Sequence, residues 1–107
     1  MAGLDDEVTG RIREFAVARD WERFHTPKNL AMALVGEAGE LAAELQWLTS
    51  EESADAADPG PLRDRVSAEM ADVAIYLLRL ADVLDVDLAQ AVSDKLDVNE
   101  ERFPSTT

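Results

Sequence analysis

Apolar residues recur at helical spacing in four segments of this 107-residue chain, and none of the four shows the alternation typical of a strand. We expect helices over about residues 5–19, 27–49, 62–84 and 87–101. The acidic stretch from Ser50 to Pro61 is rich in turn-forming residues, and we interpret it as a loop. The pattern predicts an all-α fold, most simply an antiparallel four-helix bundle. It predicts one domain over residues 1–107, with frayed ends at about 1–4 and 105–107.

Two of the predicted helices begin with a capping signal. Thr26 precedes Pro27, which is the arrangement of an N-cap followed by proline in the first turn. Asp87 stands before the last apolar segment and can cap it through its side chain. These residues predict where the second and fourth helices begin.

The second predicted helix carries a carboxylate where its apolar face should continue. That face consists of Leu30, Leu34, Leu41, Leu45 and Leu48. Glu37 occupies the position missing from this series, and Glu40 lies one turn further along the same side. Two neighbouring negative charges are unfavourable unless a cation lies between them. Gly36 and Gly39 flank the pair at a cost of about 1 kcal/mol each relative to alanine, which predicts the close approach of another helix or a ligand.

The third predicted helix repeats the acidic pattern. Glu69 and Asp72 lie beside its apolar stripe, and Tyr76 follows one turn later. If the second and third helices pack antiparallel, the two acidic pairs can face one another. Four carboxylates form an all-oxygen ligand set, which suits Mg²⁺ or Mn²⁺ better than structural zinc. The alternative is that both pairs lie on solvated helix faces, and Glu44 could be a further ligand or an exposed or interfacial acid.

The charge balance excludes several classes of partner. With 10 Lys+Arg against 23 Asp+Glu, the net charge is −13, which argues against nucleic-acid polymers and anionic membranes. Cysteine is absent, so a disulfide framework, a thiolate zinc site and a cysteine nucleophile are excluded. No run of about 20 apolar residues could span a bilayer, and the acidic N-terminus does not look like a signal peptide. We expect a soluble, cytoplasmic protein.

Five motifs follow one another along about residues 12–104. They are Phe15-Ala16-x-x-Arg19-Asp20-Trp21-Glu22-x-Phe24-His25-x-Pro27-x-Asn29-Leu30, then Ala33-Leu34-Val35-Gly36-Glu37-x-Gly39-Glu40-Leu41, Gln46-Trp47, Glu69-x-x-Asp72-Val73-x-x-Tyr76-Leu77 and Lys95-x-x-x-Asn99-x-x-Arg102-Phe103-Pro104. In order and spacing, they resemble the MazG-like all-α nucleotide pyrophosphohydrolases, and within them the dCTP pyrophosphatase branch.

The resemblance implies a reaction and its metal. The reaction is Mg²⁺-dependent hydrolysis of a nucleoside triphosphate, dCTP or a modified dCTP, to the monophosphate and pyrophosphate, with Mn²⁺ as a possible substitute. Glu37, Glu40, Glu69 and Asp72 match the metal ligands of the family, and either Glu37 or Glu40 would orient or deprotonate the attacking water. The alternatives are a nucleotide- or metal-binding regulator with little turnover, or an acidic interaction module.

The resemblance also implies substrate contacts and an assembly. The residues matching the substrate site are Trp21, Phe24, His25 and Trp47 around the base, Lys28, Lys95, Asn99 and Arg102 around the triphosphate, and Tyr76. Ile12 stands where the dCTP branch has a pocket histidine. The family forms dimers and tetramers, so we expect a homo-oligomer. We also expect exposed apolar surface at Leu45, Leu48 and residues 77–84.

Overall fold

The computed structural model describes residues 4–106, with side chains from Asp6 onward, and the described residues contain helices and no strand. Residues 1–3 and 107 of the predicted frayed ends lie outside the described residues. The helices are α1 (Thr9–Ala18), α2 (Pro27–Leu45), α3 (Ser50–Ser53), α4 (Pro61–Val83) and α5 (Leu88–Arg102). A π-helical turn at Leu4–Val8 precedes α1, and 3₁₀ turns lie at Glu22–Phe24 and Ala54–Ala57. The predicted all-α fold is confirmed.

Both predicted caps are present. The Thr26 hydroxyl accepts a hydrogen bond from the Asn29 backbone N–H at 3.2 Å, with Pro27 in the first turn of α2. The Asp87 carboxylate accepts one from the Gln90 backbone N–H at 3.0 Å and begins α5. Local sequence therefore fixes the start of both helices.

The region after α2 differs from the prediction. The helix ends at Leu45 rather than near residue 49, and the predicted loop contains α3 and a 3₁₀ turn. Thr49 is the cause, because it forms a reciprocal capping box with Glu52. The Thr49 hydroxyl accepts from the Glu52 N–H at 3.1 Å, and the Glu52 carboxylate accepts from the Thr49 N–H at 2.8 Å. An N-cap needs extended backbone, so α2 cannot continue through Thr49.

Helices α2 and α4 form the central pair and run antiparallel. Glu44, late in α2, contacts Arg65, early in α4, whereas His25, just before α2, contacts Arg79, late in α4. Leu30 of α2 is almost completely buried.

The less accessible side of α4 combines apolar and acidic residues. Val66, Val73 and Leu80 are partly buried, and so are Glu69, Asp72 and Tyr76, whereas Met70 and Leu77 are 56% and 37% exposed. The acidic pair therefore lies beside partly buried apolar residues of the helix.

A single chain leaves much apolar surface open. Helix α5 makes only sparse contacts with the other described elements, and its Val92 and Leu96 are 52% and 54% exposed. The radius of gyration is 16.5 Å, against about 13 Å for a compact domain of this length. Among the expected apolar surfaces, Leu77 and Leu84 are exposed, but Leu45 and Leu48 are partly buried. No helix among the described residues combines the length and apolarity needed to cross a membrane.

Helix α1 is tied to α4 by an ion-pair network around Asp82. Arg13 of α1 donates to both oxygens of Asp82, and Arg79 donates to the same carboxylate at 2.9 Å. The Arg13 hydrogen bond is the largest cause holding the pKa of Asp82 below its ordinary value. The Arg79 side chain is only 7% exposed, and the Asp82 carboxylate compensates its buried positive charge.

We predict that Asp82→Asn lowers the free energy of unfolding by about 2 kcal/mol at pH 7, because it leaves Arg79 buried beside a neutral group. Since the folded pKa of Asp82 is lowered, its contribution is present above the ordinary aspartate pKa and is lost as pH falls through the folded pKa. The deficit of the variant should therefore shrink in acid. Urea unfolding at fixed protein concentration measures both effects.

Asp85→Asn is the matched control, because Asp85 is exposed and its φ of 54° is one that asparagine tolerates. Equal stability of the two aspartate variants would contradict a structural role for the Asp82 network.

Candidate functional site

The carboxylates of α2 and α4 meet where the two helices cross. Glu37, Glu40 and Glu69 each offer an oxygen, and these oxygens lie within 4.8 Å of one another. Glu37 and Glu69 are partly buried, whereas Glu40 is exposed. The antiparallel register of the helices brings the two predicted acidic pairs together.

Asp72 belongs to the same cluster electrostatically. It lies one turn after Glu69 on α4 and is partly buried. Its negative charge contributes to a raised pKa at both Glu37 and Glu69. We call Glu37, Glu40, Glu69 and Asp72 the carboxylate cluster.

Among the described residues, no lysine or arginine forms an ion pair with the carboxylate cluster. Burial is the largest cause of the raised pKa of Glu37, and the neighbouring charge of Glu40 is the next. Burial also leads at Glu69, again followed by the charge of Glu40. One oxygen of each residue, Oε2 of Glu37 and Oε2 of Glu69, is buried without a hydrogen-bond partner. Buried polar atoms are rarely left unpaired in folded proteins, and a water molecule or a cation would satisfy these two oxygens.

A divalent cation fits this arrangement. It would satisfy the two buried oxygens and remove the repulsion among the carboxylates. The donor atoms are all oxygen, the set that hard cations such as Mg²⁺, Mn²⁺ and Ca²⁺ prefer. The cluster can therefore hold a metal ion.

Glu44 has its own partner. Its carboxylate accepts a hydrogen bond from Arg65 Nε at 2.8 Å, and the pair links α2 to α4 next to the carboxylate cluster. Its charge still adds to the raised pKa of Glu69. Of the two roles left open by the sequence, the structure favours a paired acid between the helices over a further ligand.

The two glycines of α2 have open space beside them in the part of the chain that the structure describes. A Cβ added at Gly36 or Gly39 would meet nothing within 4 Å. Met32 and Val35 lie on the same side of the helix and are 62% and 64% exposed. The close approach predicted for these glycines is therefore not supplied by another element of this chain. We call Met32, Val35, Gly36 and Gly39 the open face of α2.

Two of the predicted base-pocket residues contact each other: Trp21 and His25 meet edge-on, with ring centroids 6.5 Å apart. Phe15, which was not predicted for the pocket, extends this chain of edge-on contacts through Trp21 at 5.6 Å. Phe24 is 54% exposed and lies under the guanidinium of Arg23. Trp47 follows α2 and is 87% exposed. Within one chain Trp47 is therefore open to solvent, and its place in a pocket stays a prediction.

His25 makes a contact that sequence reasoning missed. Its Nδ1 accepts a hydrogen bond from Arg79 Nε at 3.0 Å, across a separation of 54 residues. Burial and then the charge of Arg79 lower the pKa of His25. A charged residue among the apolar residues late in the third predicted helix was the available signal, but nothing local identified its partner.

The predicted triphosphate contacts stay predictions. Lys28 is exposed in the first turn of α2. Lys95, Asn99 and Arg102 lie on α5, and Arg102 stacks over Phe103 at 5.0 Å. Helix α5 has few contacts with the rest of the described chain, and among the described residues no ion pair joins Lys95 or Arg102 to the carboxylate cluster.

Comparison with solved structures gives a match of nearly full length. No protein-family model matches the sequence. The crystal structure of a pyrophosphatase from Archaeoglobus fulgidus superposes with a TM-score of 0.85 at 37% sequence identity. The match covers 94% of this chain and 92% of the archaeal chain.

Mammalian proteins match a large part of the chain at higher identity. Mouse dCTP pyrophosphatase 1 is 50% identical over 91 residues, and the human protein of the same name is 48% identical over 98 residues. These matches cover 85% and 86% of this chain but 54% of each mammalian protein. The chain therefore spans about half the length of the curated relatives that it matches.

Proposed function

Because the chain belongs to the MazG-like family of all-α pyrophosphatases, we propose that it hydrolyses dCTP, or a modified dCTP, of the cytoplasmic nucleotide pool to the monophosphate and pyrophosphate. The observation that carries this proposal is the pair of buried carboxylate oxygens of Glu37 and Glu69 that have no partner. The names of the mammalian relatives support dCTP as the substrate.

We propose that the metal ion is Mg²⁺, with Mn²⁺ as a possible substitute. Such an ion supplies an activated water and neutralises charge on the triphosphate. A chain with a net charge of −13 would otherwise repel a polyanion. In this proposal the ligands are Glu37, Glu40, Glu69 and Asp72.

The protein residues orient the attacking water, accept its proton and contact the base and the phosphates. The Glu37–Glu40 pair orients the attacking water and accepts its proton at a carboxylate oxygen, which requires one of the two to be ionised. The aromatic chain before α2 gives the base a face to stack on, with His25 at its end. The exposed basic groups Lys28 and Lys95 would contact the phosphates once the pocket is complete.

A second copy of the chain completes the proposed pocket. The open face of α2 is apolar, and a Cβ added at either of its glycines would meet no atom of residues 4–106 within 4 Å. Glycine in a helix costs about 1 kcal/mol relative to alanine, which is offset when a second backbone packs closely against it. The sparse contacts of α5 and the large radius of gyration also support a homo-oligomer, a dimer or tetramer.

We predict that the protein releases pyrophosphate from dCTP or 5-methyl-dCTP in the presence of Mg²⁺, faster than from dATP, dGTP or dTTP. Glu40→Gln should lower kcat/KM by at least about 100-fold, because it removes a charged metal ligand. A coupled pyrophosphate assay measures both quantities.

Glu51→Gln is the control for this substitution, since Glu51 is an exposed acid in α3 and should retain full activity. Stabilisation by Mg²⁺ and a non-hydrolysable dCTP analogue, without pyrophosphate release from any nucleotide, would contradict the proposed hydrolysis and favour a binding protein.

We predict that Gly36→Leu lowers the mass of the particle in light scattering, because the side chain occupies the space required by the second copy. Inside one chain that space is free, so the variant should stay helical by circular dichroism. Gly10→Leu is the matched control, as Gly10 is also a helical glycine with no neighbour within 4 Å. A monomeric wild-type protein at tens of micromolar would contradict the proposed assembly.

A further inference from the structure

The contact between Arg79 and His25 joins a buried guanidinium to the only histidine of the chain. Arg79 is 6% exposed and donates in two directions, to Nδ1 of His25 through Nε and to Asp82 through Nη1. A guanidinium has no acceptor and does not lose its proton in proteins. Nδ1 of His25 must therefore be the unprotonated ring nitrogen.

We propose that Arg79 is a positioning residue that holds His25 as its neutral Nε2–H tautomer, so that the imidazole offers the bound nucleotide one fixed hydrogen-bond donor. This inference rests on the proposed function, because the hydrogen bond donated by His25 requires a bound nucleotide. Arg79 acts through His25 and needs no contact with the substrate.

The surroundings of His25 favour the neutral ring. On α4, the positive charge of Arg79 opposes a second positive charge on the imidazole, and partial burial acts in the same direction. Glu22 of the 3₁₀ turn acts in the opposite direction, and its effect is the smallest of the three. Asp82 and Arg13 complete the group of charges, since Asp82 holds Arg79 and is itself held by Arg13 of α1. Together they fix the guanidinium against the ring.

The position of Arg79 connects this pair to the carboxylate cluster. Glu69, Asp72, Tyr76 and Arg79 follow one another at intervals of three, four and three residues, which places them along one side of α4. From Asp72 to Arg79 the helix rises about 10 Å. A nucleotide with its phosphates at the carboxylate cluster can extend along this line towards His25.

The tautomer can be measured directly, because a single histidine gives one set of imidazole signals. In long-range ¹H–¹⁵N spectra of the ¹⁵N-labelled protein near pH 7, without nucleotide, we expect an unprotonated Nδ1 and a protonated Nε2. The imidazole should also titrate below the ordinary histidine pKa. The Nδ1–H tautomer, or a mixture of both, would overturn the inference whether or not the protein is an enzyme.

Substitution tests whether Arg79 sets this state. Arg79→Met removes the donor and the charge while keeping a long apolar stem, and we expect a mixture of tautomers and a higher pKa for His25. Arg63→Met is the control, because Arg63 also lies on α4 but donates to the backbone carbonyls of Ala56 and Ala57 rather than to His25 or Asp82. If Arg79→Met does not fold, Arg79→Lys keeps a charged donor, and the wild-type spectrum still tests the inference.

Kinetics then separate a positioning role from a merely structural one. We expect Arg79→Met to raise KM for the preferred nucleotide about three- to tenfold with little change in kcat, the range for one lost hydrogen bond. Arg79→Lys should restore part of this loss. In a His25→Ala background the Arg79 substitution should have no further effect on KM. An equal, additive effect in that background would overturn the inference.

The same measurements keep the two proposals apart. If the wild-type protein hydrolyses no nucleotide but His25 is the Nε2–H tautomer and depends on Arg79, the proposed function fails while the positioning by Arg79 stands. If hydrolysis is found with the other tautomer, the positioning fails alone.

Discussion

The repulsion among four carboxylates at the contact between α2 and α4 governs this structure. Helices pack by burying apolar faces, yet Glu37 and Glu69 occupy inward positions and keep raised pKa values there. Each has a buried oxygen without a partner. Such an arrangement is costly for an isolated fold, since desolvation and like charge act in the same direction. A cation in the cluster would offset both effects, as in the proposed function.

Elsewhere, three arginine side chains connect helices α2 and α4 to each other and to the neighbouring segments. Arg65 links α4 to Glu44 beside the carboxylate cluster, and Arg79 links α4 to His25, just before α2. Arg13 connects α1 to the same helix through Asp82. These contacts brace the α2–α4 pair on both sides, whereas the apolar residues of α5 and of the open face of α2 lack partners within the described chain. The proposed second copy would supply them.

Sequence reasoning succeeded where the determining interaction is local. The caps at Thr26 and Asp87 and the helical spacing of Glu37 follow from residues a few positions apart. The end of α2 was misplaced because leucines continue at helical spacing to Leu48, although the capping box of Thr49 is also a local signal. The Arg79–His25 hydrogen bond joins residues 54 positions apart, and it forms because the segment before α2 packs on α4. Contacts of α5 with the proposed site would depend on the proposed second copy, so neither the sequence nor one chain determines them.

The central claim is that the carboxylate cluster holds the divalent ion on which a triphosphate would dock. Anomalous diffraction from crystals grown with Mn²⁺ and a non-hydrolysable dCTP analogue tests it most directly. We predict a manganese peak within coordination distance of oxygens from both α2 and α4, including Oε2 of Glu37 or Glu69, with a phosphate oxygen in the same coordination sphere. A nucleotide bound without manganese at these carboxylates, or manganese bound only elsewhere, would contradict the account.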